Sequence, residues 1–185
     1  PWPGPARVVP TAVGQINRDG PCFYLFSGRD VQPGHQSVML TDMWVYNTVT
    51  EEWKTAADVG APGGSPQGVQ AASAVPFGEY HFLVFSGGLD SFFMEAEELG
   101  ERIRQTENED RDPELIARLK AENVRIHGNH PGFTRDVLAY HTITDTWTTF
   151  DRIATGQPPV TTAAVQWGDD IILPSGEVSP GIRSP

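Results

Sequence analysis

Apolar residues in this chain come in short runs closed by Gly, Ser, Asn and Pro, the pattern of strands and tight turns rather than of long helices. One run covers residues 23–28 and ends in Ser27-Gly28. A second covers 82–88 and ends in Ser86-Gly87-Gly88, and a third covers 171–176 and ends in Ser175-Gly176. Each of the first two is followed by a segment Asp-x-x-x-Tyr-x-Thr-x-Thr-x-x-Trp. One copy holds Asp42, Tyr46, Thr48, Thr50 and Trp53; the other holds Asp136, Tyr140, Thr142, Thr144 and Trp147. Positions between them stay apolar in both, with Met43, Trp44 and Val49 answering to Val137, Leu138 and Ile143. Equal spacing preserves the two-residue alternation of a strand. The two Tyr/Trp pairs are therefore expected at equivalent places in two copies of one sheet unit, largely buried between units.

An apolar strand, a Gly-rich corner, a Tyr strand and a Trp strand, recurring at roughly 50 residues, make a kelch-type repeat. The expected fold class is all-β, a kelch-type β-propeller. The first unit, residues 7–62, is read as strands at 8–16, 23–26, 43–46 and 53–55. The second, 63–155, starts near Val69, turns at Gly78-Glu79 and places strands at 81–85, 137–140 and 146–150. The third, 156–185, opens with a strand at 161–166, turns at Gly168-Asp169 and reaches only its second strand. About two and a half blades cannot close a ring, since the smallest propellers have about four. The remaining blades are expected from the rest of a longer chain or from another chain.

Residues 89–134 interrupt the second unit where the first has only 29–41. This insertion is acidic, with Glu95, Glu97, Glu98, Glu101, Glu107, Glu109 and Asp110 close together. Two helices are predicted in it and confined to 89–123, one over about 93–104 and one starting with Asp112 as N-cap and Pro113 at the first helical position. Glu114/Arg118 and Arg118/Glu122 stand four apart and support the second. The insertion reads either as a solvated surface excursion or as a lid over the face where the Ser-Gly corners collect.

Composition narrows the function classes. A formal charge of −11 over 185 residues argues against nucleic acid, whose phosphates demand a basic face, and against anionic membrane surfaces. Cys22 is the single cysteine and reads as a buried structural thiol. No run approaches the ~18 apolar residues of a membrane helix. Neither an initiator Met nor a signal peptide opens the chain, so a trimmed N-terminus is expected and no compartment is assigned.

The third corner carries the candidate chemistry. Ser27-Gly28-Arg29 and Ser86-Gly87-Gly88 are answered by Ser175-Gly176-Glu177, which puts a carboxylate where the repeat has a small residue. Arg183 follows six residues on, across Pro180-Gly181. Such a loop can hold an acid/base group beside an anion clamp, or it can be an exposed loop salt bridge. His127 and His130 stand three apart, but Gly128 and Pro131 argue against a helical metal pair. His35, His81 and His141 read as structural.

Ser-Gly-Glu-Val-Ser-Pro-Gly-Ile-Arg, residues 175–183, resembles the Gly-Glu-x-x-Pro-Gly-hydrophobic-Arg segment of the bacterial sialic acid mutarotases, the kelch-type N-acetylneuraminate epimerases. A helical insertion opening with Gly-Gly and aromatics is similar to Gly87, Gly88, Phe92 and Phe93 here. A Pro-Gly-Pro-x-Arg stretch is similar to residues 3–7. The first corner, with Arg29 in place of a second Gly, and the insertion's end at 127–132 depart from the family pattern. The resemblance implies a propeller of six blades when complete. It also implies an isomerase that accelerates α/β anomer exchange of N-acetylneuraminate or a related acidic sugar, without cofactor or metal. Glu177 would be the acid/base group, and Arg183 and Arg7 would grip the substrate carboxylate. The runner-up is a non-catalytic kelch module that binds a protein or glycan. A copper radical oxidase lacks its Tyr/Cys/His constellation in this chain.

Overall fold

The protein is described by a computed structural model covering residues 1–32, 35–60, 63–88, 90–154 and 156–184, without the side chains of Asp90 and Asp110. The expected boundaries at Pro62, Leu89, Thr155 and Pro185 lie outside these residues.

Two four-stranded antiparallel sheets stand face to face. The first consists of β1 (Thr11–Asn17), β2 (Gly20–Phe26), β5 (Met43–Asn47) and β6 (Glu52–Ala56) in that order, with β3 (Arg29–Asp30) and β4 (Val38–Met39) paired beside it. The second has the order β7 (Ser73–Phe77), β8 (His81–Phe85), β9 (Asp136–His141) and β10 (Thr146–Arg152). A hairpin of β11 (Val165–Trp167) and β12 (Asp170–Ile172) follows, then another of β13 (Gly176–Ser179) and β14 (Ile182–Ser184). The first strand starts at Thr11 rather than near residue 8, because Val8 is drawn off into a bridge with Arg29. The segment after the third corner is not a loop but a hairpin in which Glu177 and Arg183 are cross-strand partners.

Strand alternation explains the packing. Cys22, Tyr24 and Phe26 leave one side of β2 and meet Phe82, Val84, Leu138, Tyr140 and Trp147 of the second sheet in one buried cluster. The opposite side of β8 and β9, with Leu83, Phe85, Val137 and Ala139, packs on Ile153, Ala164, Ile171 and Leu173. The duplicated ladders occupy matching registers, Phe23–Tyr46–Trp53 in the first sheet and Phe82–Tyr140–Trp147 in the second. Their burial differs from the expectation. Tyr140 and Trp147 are 2% and 5% exposed, whereas Tyr46 and Trp53 are half-buried and Phe23 is 39% exposed. The second ladder is covered by the first sheet. On the first, Trp2 packs its ring edge-on against Trp53 at 4.9 Å.

The insertion forms α1 (Asp90–Gln105), a π-helical turn at Thr106–Asp110 and α2 (Pro113–Gly128). Asp112 caps α2 by accepting from the Glu114 and Leu115 amides at 2.9 and 3.2 Å. This helix runs past residue 123 to Gly128. Its ion pairs are Lys120–Glu107 and Arg125–Glu122 rather than pairs among 114, 118 and 122. Leu99 and Ile103 of α1 pack on Leu119 and Ile126 of α2. The pair is tied to the segment between β3 and β4 by Glu97, which accepts from the Ser37 amide and hydroxyl at 2.7 and 2.6 Å. Among the described residues no helix is long and apolar enough to cross a membrane.

Candidate functional site

The three Ser-Gly corners are built alike. A Cβ on Gly28 would lie 2.6 Å from the Val8 carbonyl oxygen, one on Gly87 3.0 Å from Val69 Cα, and one on Gly176 2.5 Å from the Val160 carbonyl oxygen. Each corner therefore requires glycine for close backbone approach to the strand-entry segment. The next residue pairs with that segment: Arg29 with Val8, Gly88 with Gln70, and Glu177 with Val160. Arg29, Gly88 and Glu177 thus hold one structural position in three successive units.

The entry segments are also linked to each other. Ala71 N–H donates to the Val9 carbonyl at 2.9 Å, and Thr161 N–H donates to the Ala71 carbonyl at 3.0 Å. Val9, Ala71 and Thr161 all sit at positive φ, between 47° and 59°. That conformation disfavours β-branched residues and costs on the order of 1–3 kcal/mol where it is enforced. Here it turns each entry segment so that one unit's amide reaches the preceding unit's carbonyl.

These three residues form part of the wall of a cavity of about 350 Å³. Arg29, Gly88 and Glu177 line it from the corners; Phe92, Phe93, Ile126, His127 and His130 line it from the insertion. The helices thus enclose the end of the sheets that carries the corners. Apolar walls with a few convergent polar groups are the usual make-up of a small-molecule site. Glu177 Oε1 accepts from the Gly181 amide at 2.7 Å, which orients the carboxylate, while Oε2 has no hydrogen-bond partner among the described residues. Arg29 lies over the Phe93 ring at 3.9 Å and donates from Nη1 to Gln70 Oε1 at 2.9 Å. Its Nε is buried without a partner among the described residues. Burial pushes the Arg29 pKa down and nearby Glu97 pushes it up; a guanidinium stays charged at neutral pH regardless.

The other residues singled out from the sequence lie elsewhere. Arg183 is exposed and reaches Thr161 Oγ1 at 3.3 Å, at the edge of the cavity. Arg7 is not among the lining residues. Its Nη2 pairs with Asp42 Oδ2 at 2.7 Å, its Nη1 donates to the Ser27 carbonyl, and its side chain is 4% exposed. The structure brings Glu177 and Arg183 together and keeps Arg7 apart. Arg29 and His130 were not singled out as binding or acid–base groups. For Arg29 the signal was present, because its place after Ser27-Gly28 is the place of Glu177 after Ser175-Gly176. Among the described residues no group of three or more His, Cys, Asp or Glu could hold a metal ion.

Two histidines link stability to pH. Burial first, then His141, lowers the pKa of His81 from 6.5; burial first, then His127, lowers that of His130, against a smaller upward effect of Glu177. The unfolded chain takes up these protons first. Stability is therefore complete above about pH 6.5 and declines as pH falls toward the folded values. The urea midpoint should be lower at about pH 5.5 than at about pH 7.5, with a smaller drop in His81→Gln. Equal drops in the two proteins would remove His81 from this account.

No family model matches the chain, and no curated protein matches it in sequence. Among solved structures, that of YjhT superposes with a TM-score of 0.68 at 19% identity, over 98% of this chain and 48% of that one. The chain thus spans about half the length of that structure, and what the two share is a fold of packed antiparallel sheets.

Proposed function

We propose that this chain is part of a kelch-type propeller whose cavity accelerates α/β anomer exchange of N-acetylneuraminate or a related acidic sugar. The observation that carries this reading is the placement of Arg29 and Glu177. They hold the same corner position in two units, flank the side-chain-free Gly88, and line one partly enclosed cavity. A cation and a carboxylate so placed suit a sugar that bears a carboxylate beside its reacting carbon. The resemblance of residues 175–183 to the sialic acid mutarotases supports the same assignment. Further blades, from the rest of the chain or from another chain, would cover the half-exposed Phe23–Tyr46–Trp53 ladder as the first sheet covers its duplicate.

In this mechanism Glu177 Oε2 takes the proton of the anomeric hydroxyl. The ring C–O bond breaks with its electron pair moving to the ring oxygen, and an open-chain carbonyl results. Rotation about the adjacent bond and attack on the other face close the opposite anomer, while Glu177 returns the proton to the former carbonyl oxygen. A positioned acid–base group of this kind is worth about 10²–10⁴-fold. Arg29 holds the sugar carboxylate and Arg183 stands at the rim, whereas Arg7 supports the first corner through Asp42.

Exchange between α- and β-N-acetylneuraminate, followed by NMR against the uncatalysed background, tests the reading. The full-length protein should accelerate it. Tight binding of an acidic sugar with no acceleration would instead indicate a non-catalytic glycan-binding module. Arg29→Gln should weaken binding of the acidic sugar by about 1.5–3 kcal/mol, the usual worth of a hydrogen bond to a charged group. Calorimetric titration measures this, and an unchanged affinity would take the carboxylate away from Arg29.

A further inference from the structure

His130 belongs to the insertion yet sits against the third corner. A Cβ on Gly132, two residues on, would lie 4.0 Å from the carbonyl oxygen of Val178, the neighbour of Glu177. His130 and Glu177 line the same cavity. The imidazole is held between Phe92 and Phe133, each edge-on at 5.2 Å. Its Nδ1 accepts from the Gly132 amide at 3.1 Å. An accepting Nδ1 leaves the proton of the neutral ring on Nε2. The turn 130–132 therefore fixes the tautomer, and the two phenyl rings fix the ring plane.

We infer that His130 is a second catalytic residue of this site, a neutral imidazole whose Nε2–H donates to the sugar ring oxygen as the ring opens. The inference rests on the mutarotase reading. As the ring C–O bond breaks, its electron pair leaves negative charge on the ring oxygen while the anomeric proton is on Glu177. A fixed N–H aimed at that oxygen stabilises the charge as it develops, and His130 keeps its own proton throughout. Burial of His130 and the nearby His127 both lower its pKa, which keeps the ring neutral, against a smaller opposing effect of Glu177. Protonation would also place a hydrogen on Nδ1 and oppose the Gly132 amide.

Two substitutions divide the imidazole into its two nitrogens. His130→Asn keeps an acceptor near Nδ1 for the Gly132 amide and removes the distal donor. His130→Gln places an amide N–H near Nε2 and gives up the proximal acceptor. With unfolding midpoints near that of wild type, His130→Asn should lose about 10²–10³-fold in kcat for anomer exchange, the usual cost of removing one such donor. His130→Gln should retain most of it. The reverse order, or equal losses, would overturn the inference, as would wild-type kcat in His130→Asn. Long-range 15N–1H NMR of the ring should report the Nε2–H tautomer, and the Nδ1–H tautomer would overturn it without reference to activity. If the wild-type protein accelerates exchange, Glu177→Gln does not and His130→Asn does, this inference alone falls. If the wild-type protein accelerates nothing, the mutarotase reading falls and this one with it.

Discussion

Trp147→Ala should destabilise the folded chain by about 3–5 kcal/mol, the range for deleting a core aromatic. Trp147 is 5% exposed and meets the rings of Phe26, Phe82 and Tyr140 at 5.6, 5.7 and 5.0 Å. Its Nε1 also donates to the Ala57 carbonyl of the first sheet at 3.1 Å. Removal opens a cavity between the two sheets and leaves that carbonyl without its indole donor, so packing and hydrogen bonding fail together. Trp53→Ala removes the register-equivalent residue from a half-exposed face and should cost less. Urea unfolding of both variants measures the difference, and equal costs would contradict an interface built on the second ladder.

The sheets were legible because their signal is local. Tyr46/Trp53 and Tyr140/Trp147 repeat at one spacing, and strand alternation carries that spacing into three dimensions. Asp112-Pro113 announced the start of α2 for the same reason, since a cap is a short-range device. What escaped depends on residues far apart in sequence. Arg7 came forward through the resemblance as a grip on the substrate carboxylate, but Asp42 lies 35 residues on and takes its guanidinium. The end of α2 was placed too early, at Asn123, although neither Asn123 nor Val124 carries a stop signal. The helix continues until Gly128, just before the His130-Pro131 turn. Half-burial of Tyr46 and Trp53 is a property of what covers the sheet, which the repeat does not encode.

The site was half legible. Glu177 stands out because its two corner equivalents are Arg29 and Gly88, and Arg183 follows it by six residues across Pro180-Gly181; the hairpin that pairs the two was not read from the sequence. Arg29 was visible by the same comparison but read as a departure from a family pattern. His130 was not legible as a residue of this cavity. Its proximity to Glu177 depends on α1 and α2 folding back across the corners, and Leu99, Ile103, Leu119 and Ile126 decide that geometry.

Glu177→Gln should abolish acceleration of anomer exchange while leaving sugar binding nearly intact, a loss of about 10²–10⁴-fold. The amide keeps the side-chain shape and an acceptor for the Gly181 amide, so the hairpin should hold. It cannot accept the anomeric proton, and ring opening loses its base. Binding persists because the substrate carboxylate is assigned to Arg29, which the substitution leaves in place.

The most direct measurement is NMR saturation transfer between the α and β anomers of N-acetylneuraminate, run on full-length wild-type protein and on Glu177→Gln at equal occupancy. The account predicts exchange well above background with wild type and background exchange with Glu177→Gln. Background exchange with both proteins, or equal acceleration by both, would contradict it.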